Sequence, residues 1–377
     1  MFDYEMLRLI WWLLLGVLLP GFAIMDGFDL GVAVLLPWVA RNDEQRRITL
    51  NTVGPVWEGN QVWLILGAGA IFAAWPMAYG IAFSCFYFAM LLVLAALIIR
   101  PVGFKYRSKL NNPTWRTFWD YGLFVSGLVP SIIFGVAIGN VLQGIPFHFD
   151  SDLRIFYDGT FWQLLNPFAL LCGITSLAML CQQGGLFLAN KTEGAIQCRA
   201  ITASRIGGLL LILGFAAGGF YIAYGINGFQ LDQAVAHDGP SNPLNFPISQ
   251  QVGAWLNNYQ SYPLTRVVPA LGFAGALFAI LLARRAKKLA MIMSSLGIIG
   301  VIASVGVSMF PFLLPSTAEV KASLLVWNAS STETTLLVML IATVIFMPII
   351  LLYTSWVFRV LRGKVTEQTV KQDLNAY

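Results

Sequence analysis

The sequence has little charge, and most of its length is apolar. Only 11% of its 377 residues are Asp, Glu, Lys or Arg, while 58% are hydrophobic. A soluble domain usually carries about 25% charged residues. Apolar runs of about 20 residues, the length at which a helix spans a bilayer, recur along the chain. The composition therefore predicts an all-α, polytopic membrane protein in which residues 1–377 form a single integral membrane domain, and it rules out a soluble enzyme.

Histidine and cysteine are also scarce, which limits the redox chemistry that this chain can carry. The only two histidines, His148 and His237, both fall in predicted loops, so no haem can be held between two membrane-embedded imidazoles of this chain. The four cysteines form no CxxC pair and are typical of small buried hydrophobic residues. The usual ligands of a copper or di-iron site are missing, as are the common nucleotide-binding, serine-hydrolase and zinc-protease motifs. We therefore expect neither a catalytic residue nor a metal ligand in this chain.

The apolar segments and the basic residues together predict a topology. Nine segments are apolar enough to be transmembrane helices, at residues 7–39, 50–75, 79–99, 119–142, 163–188, 206–226, 264–283, 289–314 and 334–358. Most of the 23 basic residues fall in alternate connecting segments, and the other segments carry only Arg8, Arg154, Arg266 and Lys321. By the positive-inside rule, the N-terminus lies outside and the C-terminus is cytoplasmic. We expect a multi-pass membrane protein.

Two aspartates interrupt the first apolar run, "GFAIMDGFDLGVAVLLPWVA" at 21–40. A carboxylate at membrane depth costs roughly 2.5–3.5 kcal/mol on insertion scales. Asp26 and Asp29 are three residues apart and so share one helix face, roughly 18–22 Å from the cytoplasmic end of the span. Glu58, in "GPVWEGNQVW", is predicted at about 15 Å from the same side on the neighbouring helix. Three carboxylates are thus expected to converge in the cytoplasmic half of the membrane, where buried acids can bind protons or cations.

The residues alone leave the role of each acid open. Each acid could instead have a structural role, in which it accepts hydrogen bonds from a neighbouring helix or loop. A functional role is favoured for Glu58 because it follows Gly54 and Pro55, where we expect a break in the helix. Asp120 opens the fourth span and is more readily interfacial than functional.

Two further side chains near these acids have alternative interpretations. Arg100, at the end of a span and before Pro101, could extend to the membrane surface or pair with one of the acids. Trp57 could contact a quinone, although tryptophans in membrane proteins more often pack or anchor at interfaces.

Sequence blocks along the whole chain resemble subunit II of the cytochrome bd-type quinol oxidases. They occur in the family's order, from the first residues to the C-terminal tail: "FDYEMLRLIWWLLLGVLL", "MDGFDLGV", "RNDEQRR", "WEGNQVWLI", "FAAWPMAY", "RPVGFKYRSK", "GNVLQGIPF", "QLLNPFALLCG", "GPSNPL", "GAWLNN", "MFPFLLPS" and "PIILLYTSW". So many ordered blocks make the resemblance specific.

The resemblance implies a terminal oxidase of aerobic respiration that oxidises quinol and reduces dioxygen to water. It also implies the bacterial cytoplasmic (inner) membrane, so that the outer side, with the N-terminus, is the periplasm. In that family, subunit I carries haem b and haem d, and subunit II packs against it as a heterodimer with the same fold. That fold has nine helices, arranged as two four-helix bundles plus one peripheral helix. A small single-span accessory subunit is usual, and a bound ubiquinone occurs in some relatives.

The resemblance also implies roles for individual residues. It places a proton path from the cytoplasm on Asp29 and Glu58, with Asp26 and Arg100 as neighbours, and it makes Trp57 a possible quinone contact. Two positions depart from the family pattern, because Lys105 and Asn328 stand where relatives have an acid.

Two other functions would also use acids within the membrane. An ion-coupled secondary transporter usually has interrupted helices at matching positions in two repeats, and no such repeat is apparent in this sequence. A purely scaffolding subunit, in which the acids serve only assembly, is the third hypothesis.

Overall fold

The protein is described by a computed structural model that covers residues 3–244 and 246–368. Within these residues the chain forms twelve α-helices: α1 Tyr4–Val39, α2 Asp43–Val53, α3 Trp57–Ala74, α4 Pro76–Cys85, α5 Tyr87–Tyr106, α6 Pro113–Gln143, α7 Pro167–Lys191, α8 Gly194–Tyr224, α9 Asn257–Ser261, α10 Val267–Leu282, α11 Lys287–Met309 and α12 Glu333–Val360.

Several of the long helices begin at side-chain caps that can be read from the sequence. Asp3 accepts a hydrogen bond from the backbone N–H of Tyr4 at 2.7 Å at the start of α1. Asn112 and Asn166 cap α6 and α7, and each is followed by a proline at the first helical position. A capping oxygen satisfies an N–H that has no partner inside the helix, and proline has no N–H to satisfy at that position. Local chemistry thus sets these helix starts.

Eight helices of the described chain are long and apolar enough to cross a membrane, namely α1, α5, α6, α7, α8, α10, α11 and α12. The span of α10 is counted from Pro263 to Leu282. The prediction of an all-α polytopic protein is confirmed, but the count of nine spans is not. The difference lies in the second predicted span, 50–75, which contains the end of α2 and the whole of α3, a helix of 18 residues. The helix is interrupted at residues 54–56, as the glycine and proline there predict. Polar residues at the start of α3 (Glu58, Asn60 and Gln61) lower its hydropathy.

The long helices pack as two groups of four with one helix outside them. In the first group, α1 contacts α3 and α6, and α5 packs on α6. In the second, α7 contacts α8 and α11, and α10 contacts both of these helices. Helix α7 also packs on α1 and α6 and so joins the two groups. Helix α12 contacts α1 and α3, and only 11% of its most apolar stretch is buried. This arrangement agrees with the expected two bundles and peripheral helix.

The joint between the groups depends on glycines that let two backbones touch. A Cβ atom added at Gly31 of α1 would overlap the carbonyl oxygen of Leu180 in α7, and one at Gly184 would lie 2.6 Å from the carbonyl carbon of Gly31. Small residues at such positions allow membrane helices to approach closely. This contact holds the middle of α1, and thus its aspartates, in a fixed position against α7.

Short β-hairpins cover one end of the bundles. The part of the chain that the structure describes forms three two-stranded antiparallel sheets there: β1 Phe147–Phe149 with β2 Ile155–Tyr157, β3 Asn227–Leu231 with β4 Ile248–Val252, and β5 Phe312–Leu314 with β6 Leu324–Leu325. We call this end the hairpin face, and the opposite end, where the loops after α1, α5, α7 and α10 lie, the basic face. The sequence predicted loops on the hairpin face, and it did not predict the strands.

Buried polar contacts hold the hairpin face together. Arg8 of α1 is fully buried, and it donates hydrogen bonds to Ser330 Oγ at 2.7 Å and to the carbonyl oxygen of Gly239 at 2.9 Å. Asn328 accepts from the N–H of Leu325 at 2.7 Å and donates to the carbonyl oxygen of Ser323 at 3.1 Å. An amide can make both bonds at once, whereas an ionised carboxylate can only accept. Asn328 therefore serves to shape this buried loop.

Candidate functional site

Asp26 and Arg100 form an ion pair inside the first bundle. Arg100 Nη1 of α5 donates to Asp26 Oδ1 of α1 at 2.7 Å, and the two side chains are 2% and 0% exposed. Of the two interpretations that the sequence left open for Arg100, the structure shows the pairing. A buried ion pair of this kind is costly to split, because either partner alone would be an uncompensated charge in an apolar interior.

Asp29, one turn further along α1, has a neutral partner. Asn60 Nδ2 of α3 donates to Asp29 Oδ2 at 2.8 Å, and both residues are almost fully buried. Asn60 was not among the site residues predicted from the sequence. The sequence did contain a signal for Asn60, because a side-chain amide in an apolar helix needs a hydrogen-bond partner.

The cluster of Asp26, Asp29, Arg100 and Asn60, here called the buried acid site, has unused polar atoms and unbalanced charge. Asp26 Oδ2, Asp29 Oδ1 and Arg100 Nη2 are buried, and the described residues offer no hydrogen-bond partner to any of them. With both carboxylates ionised, two negative charges face one guanidinium. Burial of an unpaired charge is unfavourable, so one bound proton or cation would balance the site. Its chemistry therefore suits the uptake and release of a proton.

Glu58 does not join this site. Its side chain is exposed on the lateral surface of α3, so the expected convergence of three carboxylates is wrong. The physical reason is the helix period: two residues apart on a helix means roughly 200° of rotation. Because Asn60 faces α1, Glu58 must face away from it.

Trp57 lies near the start of α3 and is only 5% exposed. Its ring is stacked on Phe104 of α5 with centroids 5.4 Å apart and an interplanar angle of 12°. The indole Nε1 is buried and has no hydrogen-bond partner among the described residues. The residue therefore packs in the core and keeps one unused donor.

Asp120 lies at the centre of a charged network on the basic face. Arg107 Nε donates to Asp120 Oδ1 at 2.5 Å, and Arg46 Nη1 donates to Asp120 Oδ2 at 2.8 Å. Asp43 of α2 accepts from Arg107 at 2.8 Å and from Arg116 at 2.7 Å. Burial alone would lower the pKa of Arg107, but the hydrogen bonds and charges of Asp120 and Asp43 outweigh burial and raise that pKa. This network ties α2, α5 and α6 together, and the sequence did not predict it.

Both histidines lie on the hairpin face and are already bonded to carboxylates. His148 Nδ1 lies 2.7 Å from Asp158 Oδ2, and His237 Nδ1 lies 2.7 Å from Glu5 Oε1. Among residues 3–244 and 246–368, no group of three or more His, Cys, Asp or Glu side chains is placed to hold a metal ion. The residues present therefore do not fit a haem held by two imidazoles.

Comparison with known proteins decides the family. The family model described as cytochrome bd terminal oxidase subunit II matches residues 7–361. The chain belongs to the cytochrome bd terminal oxidase subunit II family. The resemblance read from the sequence blocks is thus confirmed.

Curated members of this family align over nearly the whole chain. "Cytochrome bd-I ubiquinol oxidase subunit 2" of Escherichia coli (strain K12) is 46% identical over 377 residues, which is 100% of both chains. "Probable cytochrome oxidase subunit 2" of Haemophilus influenzae is 46% identical and covers 97% of both chains. "Cytochrome bd ubiquinol oxidase subunit 2" of Bacillus subtilis is 29% identical over 95% of this chain and 97% of its own.

A solved structure supports the fold. A chain of the bd oxidase from Geobacillus thermodenitrificans superposes with a TM-score of 0.69 and covers 94% of this chain and 98% of its own length, at 15% identity. At this identity the match concerns the fold alone.

Proposed function

We propose that this chain is the haem-free subunit of a cytochrome bd-type terminal oxidase, which oxidises quinol and reduces dioxygen to water in aerobic respiration. Family membership over residues 7–361 and full-length identity to the Escherichia coli protein support this assignment. The chain supplies no catalytic residue of its own. Haem b and haem d belong to subunit I, its partner in a heterodimer, and a small single-span accessory subunit completes the complex.

The surface of α3 supports the presence of a partner inside the membrane. Glu58 is exposed there, and so are large apolar side chains such as Ile65 (66%) and Phe72 (58%). A carboxylate that faces lipid costs several kcal/mol unless a polar group or water covers it. A partner chain that packs on α3 would cover both the apolar residues and the carboxylate. We assign this face to subunit I.

The buried acid site is proposed to carry protons from the cytoplasm towards the haems of subunit I. The observation that carries this proposal is the unbalanced charge at Asp26, Asp29 and Arg100, where Asp29 keeps one oxygen without a protein partner. Asp29 would take up the proton because Arg100 already neutralises Asp26. Glu58, on the exposed side of the same helix as Asn60, would pass the proton to the partner.

The proposed orientation follows from the positive-inside rule, with the N-terminus in the periplasm and the C-terminus in the cytoplasm, in the bacterial inner membrane.

A contact with bound ubiquinone is proposed for Trp57 alone. Its unpartnered indole N–H can donate a hydrogen bond to a quinone carbonyl. The ring itself is stacked on Phe104, so only this polar edge is available for the contact.

The proton role is tested with Asp29→Asn and Glu58→Gln in the purified complex. Each change keeps the size of the side chain but removes a group that can carry a proton. We expect oxygen consumption to fall roughly 10²-fold for Asp29→Asn, the lower end of what a positioned proton-transfer group contributes, with an unchanged haem spectrum. Glu58→Gln should act in the same direction.

Asp152→Asn is the matched control, because Asp152 is an exposed acid of the β1–β2 hairpin. It should leave both the rate and the haem spectrum unchanged. If haem is lost in step with activity in Asp29→Asn, the acid serves assembly and the proton role is wrong.

A further inference from the structure

A lateral groove lies between α5 and α6 near the basic face. Its volume is about 790 Å³. Ile99 of α5 and Phe118, Tyr121 and Val125 of α6 line it, so its walls are mainly apolar. Phe118 and Tyr121 are 64% and 60% exposed, which shows that the groove opens on the lateral surface of the bundle. We call it the α5–α6 groove.

The chain beside this groove is basic and contains no acid. Residues 100–119 include five basic residues and no Asp or Glu. Three of the five bind acids from elsewhere in the fold: Arg100 binds Asp26, Arg107 binds Asp120 and Asp43, and Arg116 binds Asp43. Lys105 and Lys109 are exposed, and no described carboxylate lies within 4 Å of either. The corner between α5 and α6 therefore has uncompensated positive charge.

A chain of contacts links Lys109 to the wall of the groove. The carbonyl oxygen of Tyr106 accepts from the backbone N–H of Lys109 at 3.2 Å and from Trp115 Nε1 at 2.8 Å. The Trp115 ring packs edge-on against Trp119, with centroids 5.6 Å apart. Trp119 lines the groove, and its indole Nε1 is buried without a partner among the described residues. The wall of the groove thus has an unused N–H donor, and an exposed lysine follows in the same chain of contacts.

We propose that the α5–α6 groove binds an anionic phospholipid, with an acyl chain along the groove and the phosphate at Lys109. The walls match a hydrocarbon chain, and the uncompensated lysine matches a negative head group. Basic pockets between membrane helices bind anionic head groups in this way. The charge favours this occupant over an uncharged isoprenoid quinone. This inference does not depend on the proton role of the buried acid site.

The test is photocrosslinking in the intact complex, with the full chain and its native partner. The probe is phosphatidylglycerol with a diazirine on one acyl chain, and the reference is phosphatidylcholine with the same chain. We expect crosslinks on residues 113–125, with about five-fold more from phosphatidylglycerol, the ratio that corresponds to about 1 kcal/mol for one lysine at a membrane surface. Equal labelling by the two lipids would overturn the head-group assignment.

Three variants sharpen the result. Lys109→Glu should reduce phosphatidylglycerol labelling to the phosphatidylcholine level, whereas Lys288→Glu, an exposed lysine at the start of α11 on the same face, should not. Val125→Trp, which fills the groove from its open side, should reduce labelling by both lipids. An equal loss of phosphatidylglycerol labelling in the two lysine variants would mean that the lipid responds to general surface charge and that the groove is not a specific site. Displacement of the label by ubiquinone but not by unlabelled phosphatidylglycerol would assign the groove to a quinone instead.

Discussion

Asp26 and Asp29 lie one helical turn apart, yet they have different partners. Asp26 is paired with the full charge of Arg100 at 2.7 Å, whereas Asp29 has only the amide of Asn60 at 2.8 Å. A fixed positive charge stabilises the ionised form of a carboxylate more than an amide does. The two acids are therefore not interchangeable, and we expect a transferred proton at Asp29.

Asn60 is expected to position Asp29. Asn60→Leu removes the donor and leaves a buried carboxylate oxygen unsatisfied, which costs about 1–3 kcal/mol of stability. Oxygen consumption should fall and its solvent deuterium isotope effect should rise, because proton delivery becomes slower. The neighbouring Gln61→Leu, on the same helix and without a bond to Asp29, is the control. A lowered melting temperature with an unchanged isotope effect would mean that Asn60 has a structural role only.

The Asp26–Arg100 pair is expected to matter for assembly through its charge balance. Arg100→Gln leaves Asp26 uncompensated and should cost about 3–5 kcal/mol. The double variant Asp26→Asn, Arg100→Gln has no buried charge at the pair and should recover most of the stability. The melting temperature and the yield of the purified complex are measured for the single and the double variant. A double variant no more stable than Arg100→Gln would show that the ion pair does not set the stability.

At the scale of elements, two features of the helices define the site. The interruption at residues 54–56 lets α3 start again at Trp57, which turns Asn60 towards α1 and Glu58 away from it. The glycine contact between α1 and α7 fixes α1 from its other side. The glycine and proline at the interruption were visible in the sequence. The face that each α3 residue presents was not, because it depends on where the helix restarts.

The α1–α7 contact should tolerate no side chain at its centre. Gly31→Ala places a Cβ onto the Leu180 carbonyl oxygen, and overpacking of this kind typically costs 1–3 kcal/mol. Gly16→Ala is the matched control on the same helix, since nothing lies within 4 Å of an added Cβ there. The melting temperature of the complex should be lower for Gly31→Ala than for Gly16→Ala. Equal melting temperatures would mean that the two helices can move apart without cost.

At the scale of the whole molecule, charge is divided between the two ends of the bundles. The loops after α1, α5, α7 and α10, together with the helix ends beside them, carry most of the basic residues, and the hairpin face carries few. Both ends are built by specific contacts: the Asp43–Arg107–Asp120 network on the basic face, and the Arg8 contacts on the hairpin face. The positive-inside rule then predicts which end meets the cytoplasm.

Thiol labelling can test this orientation. Cys198, near the start of α8 on the basic face, is exposed, whereas Cys85 is buried. A membrane-impermeant maleimide should label Cys198 in inverted vesicles and not in intact spheroplasts. Asp152→Cys in a Cys198→Ser background, on the hairpin face, should give the opposite pattern. Labelling of Cys198 in intact spheroplasts would reverse the predicted topology.

The sequence by itself determined the class, the family, most of the membrane helices and the break before α3. These depend on hydropathy, on capping and helix-breaking residues, and on ordered sequence blocks, all of which are local along the chain. Only the tertiary structure decided that Arg100 pairs with Asp26, that Asn60 holds Asp29 and that Glu58 faces outward. It also decided that hairpins cover one face. The physical reason is that partner choice depends on how helices rotate and pack, and one residue of register turns a side chain by about 100°.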